Sequence, residues 1–360
     1  MLDEDPFERR VVSGPDLDLL RLLPISKCSP RDGGKFIGTG VIFSKDREYG
    51  RNVAISRHQV LGRNKLGILA VPPQHTGVFI RRARERGERL QVSIALACAP
   101  DIIIASQFKP PIGVDESSFA GGLRGEPIKL VRGKTVSNEF PASAHIVIEG
   151  EISDDPAGPE GPFGEYTGYY GDRWEKQTAI DVKAVLIRSD MQPVFYGSCP
   201  MPVENDIIKE LPVEATSLLS IRRSCPDVIG VRCPSFGGCE DFTIIQIRKR
   251  YEDEGKVAAL AGLSSGARPK IVVVVDEDLN IFDDSEVFNA ITYRVQAGKD
   301  VSIVRTAGKE LDPSFLAKSS EGGFAMTIDA TKPVARRFYD RIENHSTSKT
   351  IPVPKVSRKT

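Results

Sequence analysis

Ile180, Val182, Ala184 and Leu186 alternate with other residues, the period of a strand with one buried face. Short apolar or alternating runs at Lys35–Phe43, Leu66–Val71, Val92–Cys98, Asp101–Ser106 and His145–Ile152 predict further strands, separated by Gly, Pro and Asp. One helix interrupts them. Thr76 can cap it, Arg81 to Arg86 fill its last turns with mostly positive charge, and Gly87 can end it in a left-handed conformation. So many strands with so few helices predict a barrel-like β domain rather than a doubly wound sheet.

After Pro202 the pattern changes. Residues 204–223 read as helix broken at Pro212, and Glu240 to Leu263 as a longer amphipathic helix. Ile271–Val275 is wholly apolar, as in a strand covered on both faces. Asp284 or Ser285 then caps a helix from Glu286 to Val295, and Val301–Arg305 is another, mostly apolar, strand. The expectation is a mixed α+β chain. It has a leader over 1–23 with helical potential at Leu17–Leu23, a barrel-like domain over 24–203, a linker helix over 204–225 and a smaller α/β domain over 226–330. Residues 331–360 hold eight Lys or Arg against two acids and read as a basic tail, mobile at its end.

Composition narrows the function classes. The 360 residues carry 49 basic and 49 acidic side chains, and zero net charge argues against a nucleic-acid binder. The longest apolar run, Ile94 to Ala99, is far short of the roughly 20 residues that span a bilayer. The acidic start, Met1 to Asp5, has no secretory apolar core. Six cysteines without a C-x-x-C pair suggest reduced thiols in a cytoplasmic protein rather than a disulfide framework or a structural zinc site.

The densest chemical signal is P-E-G-P-F-G-E-Y-T-G-Y-Y-G over 159–171. Its glycines and prolines set backbone shape and could aim Glu160 and Glu165 into one cavity, where two carboxylates in different surroundings take different roles. The plainer alternative is a surface turn with two solvated acids. Elsewhere stand Asn52 to Arg57, Pro72-Pro73-Gln74-His75, and Gly113-Val114-Asp115-Glu116 leading into Ala120-Gly121-Gly122-Leu123-Arg124-Gly125-Glu126-Pro127. An Asn oxygen, a His nitrogen and a Glu carboxylate form a mixed, mostly hard set suited to Mn²⁺ or Mg²⁺, although spacings of 23 and 41 residues identify nothing by themselves. His75 alone reads more readily as a satisfied loop histidine than as a ligand.

Taken together and in order, N-x-x-x-x-R (52–57), P-Q-H (73–75), G-V-D-E…A-G-G-L-R-G-E-P (113–127) and the 159–170 string resemble the UbiD family of decarboxylases, which use prenylated flavin mononucleotide. Val273 to Ile281 also resembles that family's C-terminal domain. The resemblance implies a split β-barrel that binds the flavin, followed by a smaller α/β domain used in oligomerisation. It implies a divalent metal, usually Mn²⁺, on Asn52, His75 and Glu116, bridging to the flavin phosphate. Ala54, Ile55, Ser56, Arg57 and Gln74 would line the cofactor, with Lys270 as a further phosphate contact. A K⁺ site would form from carbonyls near Val53 and Ala105–Ser106. The implied catalytic residues are Arg57, Glu160 and Glu165: Arg57 holds the substrate carboxylate, Glu160 orients Arg57, and Glu165 carries the proton.

The implied activity is reversible, non-oxidative decarboxylation of an aromatic or α,β-unsaturated acid. The implied partners are that small acid, a flavin prenyltransferase that supplies the cofactor, and further copies of the chain in a homodimer or hexamer. The family's usual N-terminal segment is expected to be missing, which keeps open a non-catalytic subunit or inactive paralogue as the alternative. A nicotinamide-linked flavoenzyme is disfavoured, since no G-x-G-x-x-G lies between a strand and a helix.

Overall fold

The alternating segment that closes the first half becomes the seam of a barrel. The strands are β1 (Arg9–Ser13), β2 (Phe36–Asp46), β3 (Gly50–Gly62), β4 (Lys65–Ile68), β5 (Gln91–Leu96), β6 (Ile146–Pro156) and β7 (Thr178–Arg188). In the computed structural model, which describes residues 1–2, 4–156, 158–195, 204–309, 311–316, 322–340 and 342, they pair antiparallel in the order β7-β4-β3-β2-β5-β6. β6 then returns to β7 and closes a six-stranded ring. β1 continues along β7 where β4 stops, pairing Arg9 to Ser13 with Arg188 to Ala184. Part of the expected leader is therefore a strand of the sheet. The expected helix at Leu17–Leu23 forms over Leu19–Leu22 and is capped by Asp18.

The strands are apolar on both faces, as closure with packed helices requires. Ile42, Leu66, Ile94, Ile148 and Ile180 pack with Phe79, Ile80 and Ala83 of α1 (His75–Glu85). Val41, Phe43, Val53, Ala95 and Val147 pack instead with Ile102 and Ala105 of α2 (Pro100–Ala105) and Ala120 of α3 (Ser117–Arg124). The run Asp101–Ser106, expected as a strand, is thus helical. Pro100 sits in its first turn and Asp101 complements the helix N-terminus, signals that outweigh the isoleucines.

The second half forms α4 (Glu204–Arg222), β8 (Val228–Arg232), β9 (Phe242–Ile247), α5 (Glu254–Leu263), β10 (Ile271–Asp276), α6 (Asp284–Arg294), β11 (Val301–Thr306) and β12 (Gly323–Asp329). Its sheet runs β8-β9-β10-β12-β11, with β10 parallel to both neighbours. Val272 and Val274 of β10 face α4 and α5, while Val273 and Val275 face α6. Each such buried valine is worth about 1.5–3 kcal/mol against exposure. This accounts for the uninterrupted apolar run.

Two helix expectations need correction. α4 continues through Pro212 rather than breaking there; Thr216 Oγ1 donates to the Pro212 carbonyl at 2.7 Å. The segment Glu240–Leu263 is not one helix. Thr243, Ile244 and Ile245 pair in β9, and helix begins only at Glu254, because β-branched residues fit a sheet better than a helix. The helix after β10 is capped by Asp283, whose carboxylate accepts the Ser285 amide, not by Asp284 or Ser285.

No helix among the described residues is long and apolar enough to cross a membrane. Cys28, Cys98, Cys225, Cys233 and Cys239 are free thiols. The far end of the expected basic tail, 343–360, and Cys199 lie outside the described residues.

Candidate active site

A cavity of about 520 Å³ opens between the barrel and the five-stranded sheet. Six consecutive residues of β3, Asn52 to Arg57, run along its wall. At about 3.3 Å per residue, the strand sets Asn52 and Arg57 about 16 Å apart, at opposite ends of that wall.

At one end Arg57 is buried between two carboxylates. Its Nε donates to Glu160 Oε1 at 2.8 Å and its Nη2 to Glu160 Oε2 at 3.2 Å, a two-pronged grip; its Nη1 donates to Glu165. Such a fork orients the guanidinium as well as neutralising it. The Phe163 ring lies 5.0 Å beneath it. Burial works against the Arg57 charge, but Glu165 and Glu160 outweigh it and hold its pKa above the ordinary value. Glu165 moves the other way. Burial pushes its carboxyl up and the Glu160 charge adds to this, while Arg57 opposes; the net shift is upward. The two acids therefore differ: Glu160 is committed to the arginine by two bonds, and Glu165 favours keeping a proton more than an ordinary carboxyl does.

The loop that carries both acids is pinned at its backbone. Glu160 exchanges main-chain hydrogen bonds with Trp174, both at 2.8 Å. The Gly161 amide donates to Gln59 Oε1 at 2.9 Å, the Gly164 amide to Asp32 Oδ1 at 2.9 Å, and the Gly33 amide to the Pro162 carbonyl at 2.7 Å. A Cβ on Gly33 would lie 2.0 Å from the Gly161 oxygen, so only glycine permits this approach. The segment is not a solvated turn: Glu160 is fully buried and Glu165 is 5% exposed.

At the other end stand Asn52, His75 and Glu116. His75 Nδ1 lies 3.3 Å from Glu116 Oε1, while Glu116 Oε2 accepts the Val53 amide at 2.8 Å. Asn52 Nδ2 donates to Thr76 Oγ1 at 3.1 Å, which leaves its oxygen as the atom for a ligand. Thr76 thus serves Asn52 rather than capping α1; the N-cap is Gln74 and makes no side-chain cap bond. Gly87, as expected, is left-handed after α1, with φ +69°. An amide oxygen, an imidazole and a carboxylate oxygen fit a hard divalent cation such as Mn²⁺ or Mg²⁺.

Ala54, Ile55, Ser56, Gln74 and Ser106 also line the cavity. Glu160 stands behind Arg57 rather than on the wall. Lys270 is not brought there: its Nζ bonds Asp312 at 2.8 Å and Ser314 at 2.6 Å, outside the cavity wall. Sequence reasoning missed the residues that the second half of the chain contributes, Lys209, Glu240, Arg268 and Lys309, because nothing in their spacing ties them to the barrel. It also missed Gln59 and Asp32. Their signal was position: Gln59 lies two residues beyond Arg57 on one strand face, and Asp32 stands next to a Gly-Gly pair.

Residues 2–201 match the profile of the 3-octaprenyl-4-hydroxybenzoate carboxy-lyase Rift-related domain, and residues 206–330 that of the same carboxy-lyase's C-terminal domain. The chain is 34% identical over 315 residues to an anhydromevalonate phosphate decarboxylase of Methanothermobacter thermautotrophicus, covering 87% of this chain and 73% of that protein. It is 31% identical to a phenolic acid decarboxylase of Bacillus subtilis, covering 92% and 71%. Among solved structures, the UbiD-class enzyme HmfF of Pelotomaculum thermopropionicum in complex with FMN superposes with a TM-score of 0.85 at 37% identity, covering 96% of this chain and 77% of that one. A vanillic acid decarboxylase of Sedimentibacter hydroxybenzoicus superposes with a TM-score of 0.84 at 28% identity, covering 96% and 72%.

Proposed function

The chain belongs to the UbiD family of carboxy-lyases, and from that premise we propose that it catalyses reversible, non-oxidative loss of carbon dioxide from an aromatic or α,β-unsaturated carboxylic acid. Its cofactors are a prenylated flavin mononucleotide and a divalent cation, Mn²⁺ or Mg²⁺, with K⁺ as a further ion near Val53 and Ser106. The observation that carries this reading is the buried Arg57, gripped by Glu160 and touched by Glu165, at the far end of a strand from the Asn52, His75 and Glu116 donor set.

Arg57 holds the substrate carboxylate through its planar fork, a geometry that lysine lacks. Glu160 keeps that fork oriented by two bonds from behind. The bound flavin supplies the electron sink that an sp² carbon losing carbon dioxide requires and that no side chain provides. Glu165, whose burial biases its carboxyl toward the protonated form, delivers a proton to the carbon that bore the carboxylate and recovers one before the next turnover. Asn52, His75 and Glu116 hold the cation that offsets the flavin phosphate charge. Two similar proteins are named for a phosphorylated acid and for a phenolic acid, and both chemistries belong among the substrates to be tried.

Phe288, Tyr293, Ile303 and Phe324 are exposed on the second domain. Large apolar side chains in water support self-association through that domain, as a homodimer or hexamer; one similar structure is described as a dimeric form. Light scattering reads the assembly.

The test is purification after co-expression with a flavin prenyltransferase. Absorbance and mass spectra then report the bound flavin, and carbon dioxide release is followed from cinnamate-like, hydroxybenzoate-like and phosphorylated unsaturated acids. Loss of turnover in Arg57→Ala and Glu165→Gln supports the assignment, and full turnover in both defeats it. Stoichiometric flavin with turnover excludes a non-catalytic subunit.

A further inference from the structure

The cavity carries three lysines that the reaction described above does not use. Lys209 of α4 lies 3.2 Å from Glu240 and 3.4 Å from the centre of the Tyr166 ring. Lys309 pairs with Asp241 at 2.6 Å, and the Tyr166 hydroxyl donates to that carboxylate at 3.3 Å. Lys109, half-buried with its Cβ against Gly266, has no hydrogen-bond or ion-pair partner among the described residues. Lys209 and Lys309 each meet a carboxylate, and Lys109 meets none at bonding distance.

The titration of the cluster agrees. Burial, helped by Lys209 and Lys309, holds the Lys109 pKa below its ordinary value against the pull of Glu240. Burial would raise Glu240, but Lys209, Lys309 and Lys109 outweigh it and hold that carboxyl well below the usual range. This is a partly desolvated corner in which three ammonium groups gather and Lys109 is left without a direct partner.

Its position bears on what the anion belongs to. The cluster is built around Tyr166, the residue after Glu165, and the Lys209 charge acts on Glu165. Tyr166 and Lys209 therefore stand beside Glu165, the acid that Arg57 touches. The phosphate-neutralising donors Asn52, His75 and Glu116 stand at the other end of the cavity from Arg57.

We propose that Lys109, Lys209 and Lys309 form a subsite for a second anionic group on the substrate, a phosphate monoester carried by the same acid whose carboxylate Arg57 holds. The proposal rests on the decarboxylase reading above. The rival source of the same chemistry is the flavin's own phosphate.

The experiment compares 5-phosphooxypent-2-enoate with 5-hydroxypent-2-enoate on the flavin-loaded protein, with inorganic phosphate as a competing probe. The phosphorylated acid is expected to have the higher kcat/KM and to be displaced competitively by inorganic phosphate. Lys209→Met and Lys309→Gln should each cut that preference roughly ten- to hundredfold, the value of one charge-assisted hydrogen bond, with flavin content per chain retained. Equal kcat/KM for the two acids overturns the proposal. So does loss of flavin from the lysine variants with an unchanged preference, which assigns the cluster to the cofactor. If no acid turns over, the decarboxylase reading fails separately. Calorimetric binding of the two acids to the wild type and to Lys209→Met then decides the subsite: tighter binding of the phosphorylated acid, lost in the variant, upholds it, and equal binding rejects it.

Discussion

Gln59 accepts the Gly161 amide through its side-chain oxygen at 2.9 Å, two residues along β3 from Arg57, which grips the Glu160 side chain. The two-residue strand period puts Arg57 and Gln59 on one face. One strand face therefore fixes both the carboxylate of residue 160 and the backbone of residue 161. A Cβ on Gly34 would come within 2.7 Å of Gln59 Nε2, so that glycine leaves the amide its room. Gln59→Leu leaves a buried amide unpaired, which costs about 1–3 kcal/mol of stability. Through misplacement of Glu160 it should also lower kcat by about tenfold or more. The measurements are kcat, KM, flavin content and thermal unfolding. A normal kcat in a destabilised Gln59→Leu protein would show that the residue supports the fold without positioning the site.

The opposed influences on Glu165 predict a coupled pH response. Burial and Glu160 raise its pKa above the ordinary 4.5, and Arg57 lowers it. Because the protonated form is the donor, kcat should fall as pH rises through that raised value. Glu160→Gln removes one raising charge and leaves Arg57 acting on Glu165 alone. The Glu165 pKa then drops, and the descending limb moves to lower pH. Stability follows the same sign. A carboxyl raised in the folded protein contributes stability that is fully present below its unfolded value and is lost as pH climbs through the folded one. The pH profiles of kcat and of unfolding for both proteins check this, and a limb that moves upward in Glu160→Gln contradicts it.

Gly171 guards the same carboxyl. A Cβ there would lie 2.8 Å from Glu165 Oε1 and 3.2 Å from its Cγ. The obstructed group is the end of a side chain that can swing aside, so Gly171→Ala should fold with a stability change under about 1 kcal/mol. Glu165 would nevertheless be displaced from Arg57, and kcat should drop about tenfold or more. Measuring kcat beside the melting temperature separates the two effects. A large loss of stability with normal turnover would reverse the assignment.

How much could be read from the sequence depended on whether the signal was local. The period-two run Ile180 to Leu186 marked a barrel strand, and the uninterrupted valines of β10 marked a strand with helices on both sides. The motif residues Asn52, Arg57, His75, Glu116 and Glu165 do meet in one cavity. Where local rules conflicted, the reading failed. Ile102 to Ile104 are β-formers, but Pro100 and Asp101 start a helix there. The Thr243–Ile245 run was absorbed into a helical pattern that belongs only to the following segment. The lysines at 109, 209 and 309 come from three distant segments and meet only because the two domains pack together, a relation with no sequence period. Lys270 failed for the converse reason: its place beside β10 was readable, but Asp312 and Ser314, which claim its ammonium, lie more than forty residues away.

Thr76 gives the cation site a test that spares the ligands themselves. Its hydroxyl oxygen accepts from Asn52 Nδ2 at 3.1 Å, and both side chains are buried. That bond decides which end of the amide is left over, because an Asn that donates its nitrogen to a threonine must present its oxygen elsewhere. Thr76→Val keeps shape and volume but removes the acceptor. The Asn52 amide then loses its orientation, and Mn²⁺ affinity should fall about 10–100-fold, as for other residues that orient a metal ligand from behind. Thr76→Ser restores the hydroxyl and should restore binding. Glu116→Gln removes a charge that acts directly on the cation, and its loss should exceed that of Thr76→Val. Titration of each protein with Mn²⁺, following the spin resonance signal of the free ion, orders the three. Wild-type affinity in a folded Thr76→Val protein would mean that the Asn52 oxygen is held by something else or does not bind the ion, and the three-residue donor set would then shrink to His75 and Glu116.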